Sequence, residues 1–336
     1  MSDTHSTPNK VQRKSNIELL RIISMMMVLI VHLDGATLGL PELSGNLSSL
    51  NPRFTWILIV EAFVIIGVNC FTLISGYFGI RLRFKNVAGF IFECLFYSVG
   101  IYTAITLLTP APFSWKGWVE SWLIFTHTDL WYVPAYFMLM LLSPFINEGF
   151  KLLSNRKALI VTVVFTLYNL WAGWWWDAKF NPTGYTVMQL IMMYMIGRCI
   201  FIYQGSVLLP KNKILYTSLY ITASLLTALY SVWVPLKAFA YNSPFVVVAS
   251  LSFFMIFVCL EFKSSFINYA AKSAFAVYLV HKAPLIWGGI IKRFSLQVWN
   301  STSIWEYSFY VVISCLVIYG IVMGIDFIRR KINPFK

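Results

Sequence analysis

Residues 18–33 read ELLRIISMMMVLIVHL, an apolar run interrupted by Arg21 and His32. An ionisable side chain at depth in a bilayer costs at least ~2.5–3.5 kcal/mol on insertion scales, so each is a functional candidate by default. An imidazole transfers protons near neutral pH, and a guanidinium offers anions a planar fork of donors. In a helix, the step of eleven residues from Arg21 to His32, at ~100° each, falls about 20° from three full turns. Both side chains then share one face, about 16 Å apart along the axis. Glu18, three residues before Arg21, sits on that face and can pair with it. Each residue alone also has a plain structural reading. Arg21 can snorkel to headgroups, and His32 can be a hydrogen-bonded packing residue or an interface residue beside Asp34. Taken together, the shared face, the separation and the chemistry fit an anionic ligand that enters at Arg21 and reaches a base at His32.

A second patch, VNCFTLISGYFGIRLRFKN at residues 68–86, sets Ser75, Gly76 and Tyr77 near the end of an apolar run and follows them with cations. Glycine in such a run permits close approach of another backbone or of a ligand, and the flanking hydroxyls add donors. Arg83 and Lys85 suit phosphate groups. The structural alternative is a helix-packing glycine followed by cations that only set topology.

The elements that must position these residues follow from composition. Of 336 residues, 59% are apolar and 12% charged, against about 25% charged in soluble domains. One soluble core of this size does not hide so much apolar surface, so the expected fold is all-α, a polytopic membrane protein with a single bundle. Runs of about 20 apolar residues predict ten spans, at 17–38, 54–78, 87–108, 130–150, 159–173, 185–203, 214–234, 244–262, 274–291 and 304–328. The formal charge of +13 is distributed by side. With the N-terminus placed in the cytoplasm, seventeen Lys and Arg fall in inner segments and six in outer ones. The positive-inside rule therefore predicts both termini in the cytoplasm, and the basic loops speak for topology and anionic lipid, with no nucleic acid as partner. Residues 1–15 read as a polar cytoplasmic tail without the pattern of a cleaved signal. Residues 16–330 read as one integral membrane domain and residues 331–336 as a short basic tail. Cys70, Cys94, Cys199, Cys259 and Cys315 lie in apolar spans without CxxC spacing, which predicts buried small side chains and no metal. Nothing in the sequence speaks to an oligomeric state.

The ordered motifs carry a resemblance. RIISMMMVLIVH is an R-x(10)-H pattern in a first span, and CFTLISGYF follows it with an SGY segment. Next come LWYVPAYFMLMLLSPFIN (130–147), YMIGRCIF (194–201) and SAFAVYLVHKAPLIW (273–287). In this order and spacing the set resembles the acyltransferase-3 family of membrane acyltransferases, over essentially the whole membrane domain. The resemblance implies transfer of an acyl group, usually acetyl, from cytosolic acetyl-coenzyme A to a hydroxyl of a cell-surface or lipid-linked glycan in a bacterial plasma membrane. It implies His32 as general base or acyl carrier, with Arg21 guiding the donor. Ser75, Gly76, Tyr77, Arg83, Lys85 and Arg198 are then candidates for holding coenzyme A.

An imidazole base needs a partner on its second nitrogen, and Glu61, at a depth comparable with His32, is the candidate for orienting His32 or a sugar hydroxyl, with a helix-to-helix hydrogen bond as its plain structural reading. His281 is a candidate contact for donor or acceptor. The Trp- and Tyr-rich loops, Trp131 and Tyr132 among them, suit a sugar acceptor as well as an interfacial belt. Many members of the family carry His directly before the LW pair. Here Asp129 stands there, with His127 two residues earlier, so that substrate-side role falls to one or the other. The rival class is a secondary transporter or flippase of glycan intermediates, which would commonly show two pseudo-repeated halves. No such halves are visible.

Overall fold

A computed structural model describes residues 13–39, 51–109, 113–126 and 130–335. Among these residues the secondary structure is helical throughout, apart from one isolated bridge between Gln204 and Leu209. The chain is an all-α membrane protein.

Helix α1 (Ser15–Leu33) is followed by a short turn of helix, α2 (Gly35–Leu38). Helices α3 (Pro52–Val64) and α4 (Gly67–Phe78) continue one apolar stretch, Pro52–Phe78. Then come α5 (Phe84–Leu108), α6 (Trp115–Trp122), α7 (Tyr132–Leu152) and α8 (Asn155–Tyr168), the last prolonged by a π-helical segment, Asn169–Trp175. Next are α9 (Val187–Tyr203), α10 (Lys213–Ser231), the short α11 (Pro235–Ala238) and α12 (Pro244–Val258). Helix α13 (Ser265–Ala270) runs through a 3-10 turn (Ala271–Ser273) into α14 (Ala274–His281). After a break come α15 (Pro284–Ile286), a π segment (Trp287–Ile291), α16 (Lys292–Ser301) and the long α17 (Ile304–Ile332).

Helix α1 is at the centre. It packs on α3, α4, α12, α13, α14 and α17, and Ile17, Leu20, Leu29 and Leu33 are fully buried there. Around it, α4 lies against α9, and α10 against α3 and α12. Local chemistry fixes the helix ends. Ser154, Asn212 and Ser303 accept from the backbone N–H of Lys157, Leu215 and Glu306, and such caps are worth about 1 kcal/mol each. Glu306 completes a capping box on α17.

Among the described residues, six helices are long and apolar enough to cross a membrane, seven if the bent pair Ser265–His281 and Pro284–Ser301 is one span, against the ten expected. Helices α9 and α12 are apolar but shorter, at 17 and 15 residues. Helix α7 has 21 residues but carries Pro144, Asn147 and Glu148 among them. The bend of 67° between the pair has a local cause. Pro284 has no N–H to donate, and its ring disfavours helix for the residue before it. The helix therefore stops at His281, whose ring ends up in the last turn against α1.

Candidate active site

His32 and His281 meet across the α1–α14 contact, with His32 Nδ1 3.0 Å from His281 Nε2 and ring centroids 5.0 Å apart. The opposite nitrogen of His281, Nδ1, lies 2.6 Å from the Val277 carbonyl. A carbonyl only accepts, so Nδ1 of His281 must carry the proton. In the neutral ring Nε2 then holds a lone pair, and His32 must donate to it from Nδ1. That leaves the lone pair of His32 on Nε2. The tautomer of the pair is thus set by one backbone carbonyl, and His32 has a free lone pair on Nε2 with its second nitrogen occupied. His281 is 1% exposed, whereas His32 is partly open. Trp287, just past the break, sets its ring edge-on to His32 at 5.5 Å, and Lys282 lies 4.9 Å over that indole.

His32 lines a cavity of about 210 Å³ with Val28, Phe71, Trp131, Tyr132 and Tyr278 among its walls. Phe71, Tyr132 and Phe275 also line a second cavity of about 310 Å³ that contains Glu18, Arg21 and Ser75. The second shares Arg21, Ser75, Phe90 and Tyr136 with a wide mouth of about 650 Å³. The three adjoin one another through these shared walls, in a row from the mouth to His32. The narrow end of the row is aromatic, and its wide end is strongly basic. Arg13, Arg21, Arg81, Lys85, Lys272, Arg329 and Arg330 line the mouth. Against these seven cations stand three carboxylates. Glu18 takes Arg21 at 3.2 Å and Arg13 at 3.5 Å. Glu93 faces Arg329 at 3.3 Å. Asp326 holds Arg329 at 2.6 Å and Arg330 at 3.1 Å. The excess of positive charge suits a polyanion, and Arg21 lies where the basic mouth narrows toward His32.

The structure brings only some of the expected residues to this row of cavities. Arg21, His32, Ser75, Lys85, Trp131 and Tyr132 line it, and His281 supports His32. Glu61 is not the partner on His32 Nδ1. Its carboxylate lies against Gly35, where a Cβ would come within 2.9 Å of Oε1, and it interacts with the Gly35 backbone. The partner on His32 Nδ1 is His281. Gly76 serves helix packing, since a Cβ there would meet the Tyr194 carbonyl at 2.1 Å. Tyr77 points away from Ser75. Its hydroxyl accepts from Lys14 at 2.8 Å and donates to Gln204 at 2.7 Å, in a different cavity. Arg198 reaches the last carbonyls of α4, Gly76 and Tyr77, each at 3.5 Å, and packs on Phe201. It completes a helix C-terminus. Arg83 is exposed at the start of α5 and lines none of these three cavities. Asp129 and His127 lie outside the described residues.

The aromatic-rich loop that ends at Tyr185 does reach the cavity, whereas the walls supplied by Tyr241, Phe275 and Tyr278, and the cations of the last helix, are not anticipated from the sequence. YLVH carried a usable signal. Tyr278 and His281 are three residues apart and therefore share a helix face, so the side of α14 that presents His281 to His32 also presents Tyr278. Tyr241 sits in a connecting segment, where no periodicity applies.

A buried histidine that fixes the tautomer of a half-buried one, next to a basic mouth in an all-α membrane protein, is an arrangement that can move a proton. Comparison with protein families agrees with the motif order: the acyltransferase-3 family model, described as an acyltransferase domain, matches residues 14–323. The chain belongs to this family and is a membrane acyltransferase. Neither the curated proteins nor the solved structures give a match.

Proposed function

We propose that the chain is an O-acetyltransferase that takes acetyl from acetyl-coenzyme A and places it on a hydroxyl of a cell-surface or lipid-linked glycan. The observation that carries this reading is the row of adjoining cavities between the seven-cation mouth and the His32–His281 pair. Coenzyme A is a polyanion at one end and a thioester at the other, joined by a thin arm. Its phosphates belong with the cations, and the arm passes Arg21, Ser75 and Phe71 to bring the thioester to His32. There the acceptor hydroxyl gives its proton to His32 Nε2 as its oxygen attacks the thioester carbonyl. The carbon–sulfur bond breaks, and the thiolate leaves with the proton that His32 had taken. His281 Nε2 accepts the hydrogen bond of the transient His32 imidazolium, which stabilises the charge where it forms.

The distribution of Lys and Arg supports a cytoplasmic N-terminus and mouth, so the donor enters from the cytosol, in keeping with a bacterial plasma membrane. The test is purified protein in detergent with acetyl-coenzyme A and a glycoside, without any membrane potential. Free thiol and an O-acetyl glycoside in equal amounts are the expected result. No thiol release, with glycan movement in sealed vesicles instead, would replace this reading with the flippase.

A further inference from the structure

The His32 cavity is walled in part by three rings from three separate segments, none of which lines the cavity that holds Arg21. Trp131 stands at the start of α7, Tyr185 just before α9, and Tyr241 between α11 and α12. Trp131 and Tyr185 are 4.8 Å apart, Tyr185 and Tyr241 4.8 Å, and Trp131 and Tyr241 5.8 Å, by ring centroids. The two tyrosine hydroxyls interact with each other, and both lie within electrostatic range of the buried Glu61 carboxylate. Glu61 Oε2 has no hydrogen-bond partner among the described residues. Ring faces bounded by polar edges complement one ligand shape well. A pyranose has apolar C–H faces and a rim of hydroxyls, and aromatic side chains with a polar handle match both.

Behind these rings lies a costly structure. Gln189 and Asn69, fully buried, donate together to the Tyr241 carbonyl, at 2.8 and 2.9 Å. Gln189 also donates to Asn69 at 3.0 Å, and Asn181 to Gln189 at 3.4 Å. Asn242, the neighbour of Tyr241, donates to the Asn181 carbonyl at 2.6 Å. Tyr241 N–H reaches the Thr183 carbonyl at 3.0 Å. Gly184, at φ +82°, permits this approach, because a Cβ there would meet Tyr241 Cβ at 2.6 Å. Buried amides are expensive unless hydrogen-bonded, and these bonds hold one geometry, with Asn242 Oδ1 left without a partner among the described residues. What these bonds fix is the relative position of Tyr185 and Tyr241.

We infer that Trp131, Tyr185 and Tyr241 form the acceptor subsite, a stacking platform for one pyranose ring, and that Gln189 and Asn69 are its positioning residues. The inference rests on the glycan reading above and adds where the sugar lies. The hydroxyl to be acetylated projects from the platform toward His32 Nε2, opposite the thioester.

Saturation-transfer NMR on the detergent-solubilised protein tests it with methyl β-glucoside and methyl N-acetylglucosaminide, and with sorbitol as a hydroxyl-bearing control without a ring. Ring C–H protons of the glycosides should saturate and sorbitol should not. Tyr185→Leu or Tyr241→Leu should cut the glycoside signal at least fivefold, and Tyr185→Phe should keep it. Gln189→Leu should raise the acceptor KM about tenfold and leave the acetyl-coenzyme A KM as it was, a split that a general loss of stability would not produce. Equal saturation of glycosides and sorbitol, or an undiminished signal in Tyr185→Leu, would overturn the platform even with His32-dependent thiol release intact. Ring saturation without any thiol release would instead sink the acetyl-transfer reading and leave a sugar-binding site standing.

Discussion

Where α4 crosses α9, Gly76 and Gly197 bring two backbones together, and a Cβ on Gly197 would meet the Leu73 carbonyl at 2.5 Å. Where α1 meets α14, the contact is held apart by two imidazoles and opens on a cavity of about 210 Å³. The first contact has no room for a ligand, and the second has no room for a closer backbone. Ser75 and Gly76, adjacent in sequence, belong one to each: Ser75 faces the cavity that holds Arg21 and bonds Tyr136 at 3.2 Å, and Gly76 faces α9. The close contact acts as the rigid side of the bundle, against which the open contact can hold two polar side chains at a fixed distance. Changes at the open contact should therefore alter chemistry, and changes at the close one should alter stability.

The largest effect expected on chemistry is at His32. His32→Ala removes the base, and general acid–base catalysis contributes about 10²–10⁴-fold. Acetyl transfer should fall by that order while thermal unfolding in detergent stays near wild type. A variant retaining transfer within a few-fold would exclude His32 as base and as acyl carrier alike. At the close contact the reverse holds. Gly76→Val places side-chain atoms on the Tyr194 carbonyl, where the backbone has no rotamer with which to yield, and overpacking costs about 1–3 kcal/mol or more. Its melting temperature should drop, and any folded fraction should keep the wild-type KM for both substrates. A normal melting temperature with a raised acetyl-coenzyme A KM would return Gly76 to the donor site.

A smaller effect is expected at His281, which acts through His32. His281→Ala leaves His32 Nδ1–H without its acceptor, and loss of an outer partner of an imidazole costs on the order of 10–100-fold in comparable metal sites. His281→Gln supplies a carbonyl oxygen that can accept the same hydrogen bond, so it should recover part of the rate. Equal loss in both variants would show that ring packing, and not the tautomer, is what His281 provides.

How much of this was legible in the sequence depends on what sets each position. Helix periodicity alone put Arg21 and His32 on one face, and in the structure they line two adjoining cavities that share Phe71, Tyr132 and Phe275. The same reasoning needs no partner helix and so loses nothing by ignoring tertiary structure. The partner on His32 is a tertiary fact. Glu61 and His281 are both ionisable and both at depth, and nothing local tells which one reaches Nδ1. Pro284 was the available clue, since it ends α14 at His281 and turns that ring inward. Cations mislead for a related reason. Arg198 looks like a phosphate ligand from its type, yet it caps the carbonyls of α4, while Arg329 and Arg330 join the mouth from a helix that begins 25 residues earlier at Ile304.

The smallest effect separates the two cations that sequence alone treats as equivalent. Lys85 lines the mouth and Arg83 does not, although both are exposed. Exposed ion pairs contribute about 0.2–1 kcal/mol, so Lys85→Ala should raise the acetyl-coenzyme A KM only a few-fold, and Arg83→Ala should leave it unchanged. Salt screens such contacts over a Debye length of about 8 Å at physiological strength. Raising ionic strength should therefore narrow the gap between Lys85→Ala and wild type. Acetyl-pantetheine has the thioester and the arm but lacks the nucleotide and its phosphates. With that donor the Lys85→Ala effect should vanish, while His32→Ala stays inactive. If Lys85→Ala impaired both donors alike, the charge would act on the fold of the mouth and not on the phosphates. If Arg83→Ala matched Lys85→Ala with the full donor, the phosphates would extend past the mouth to the surface around α5.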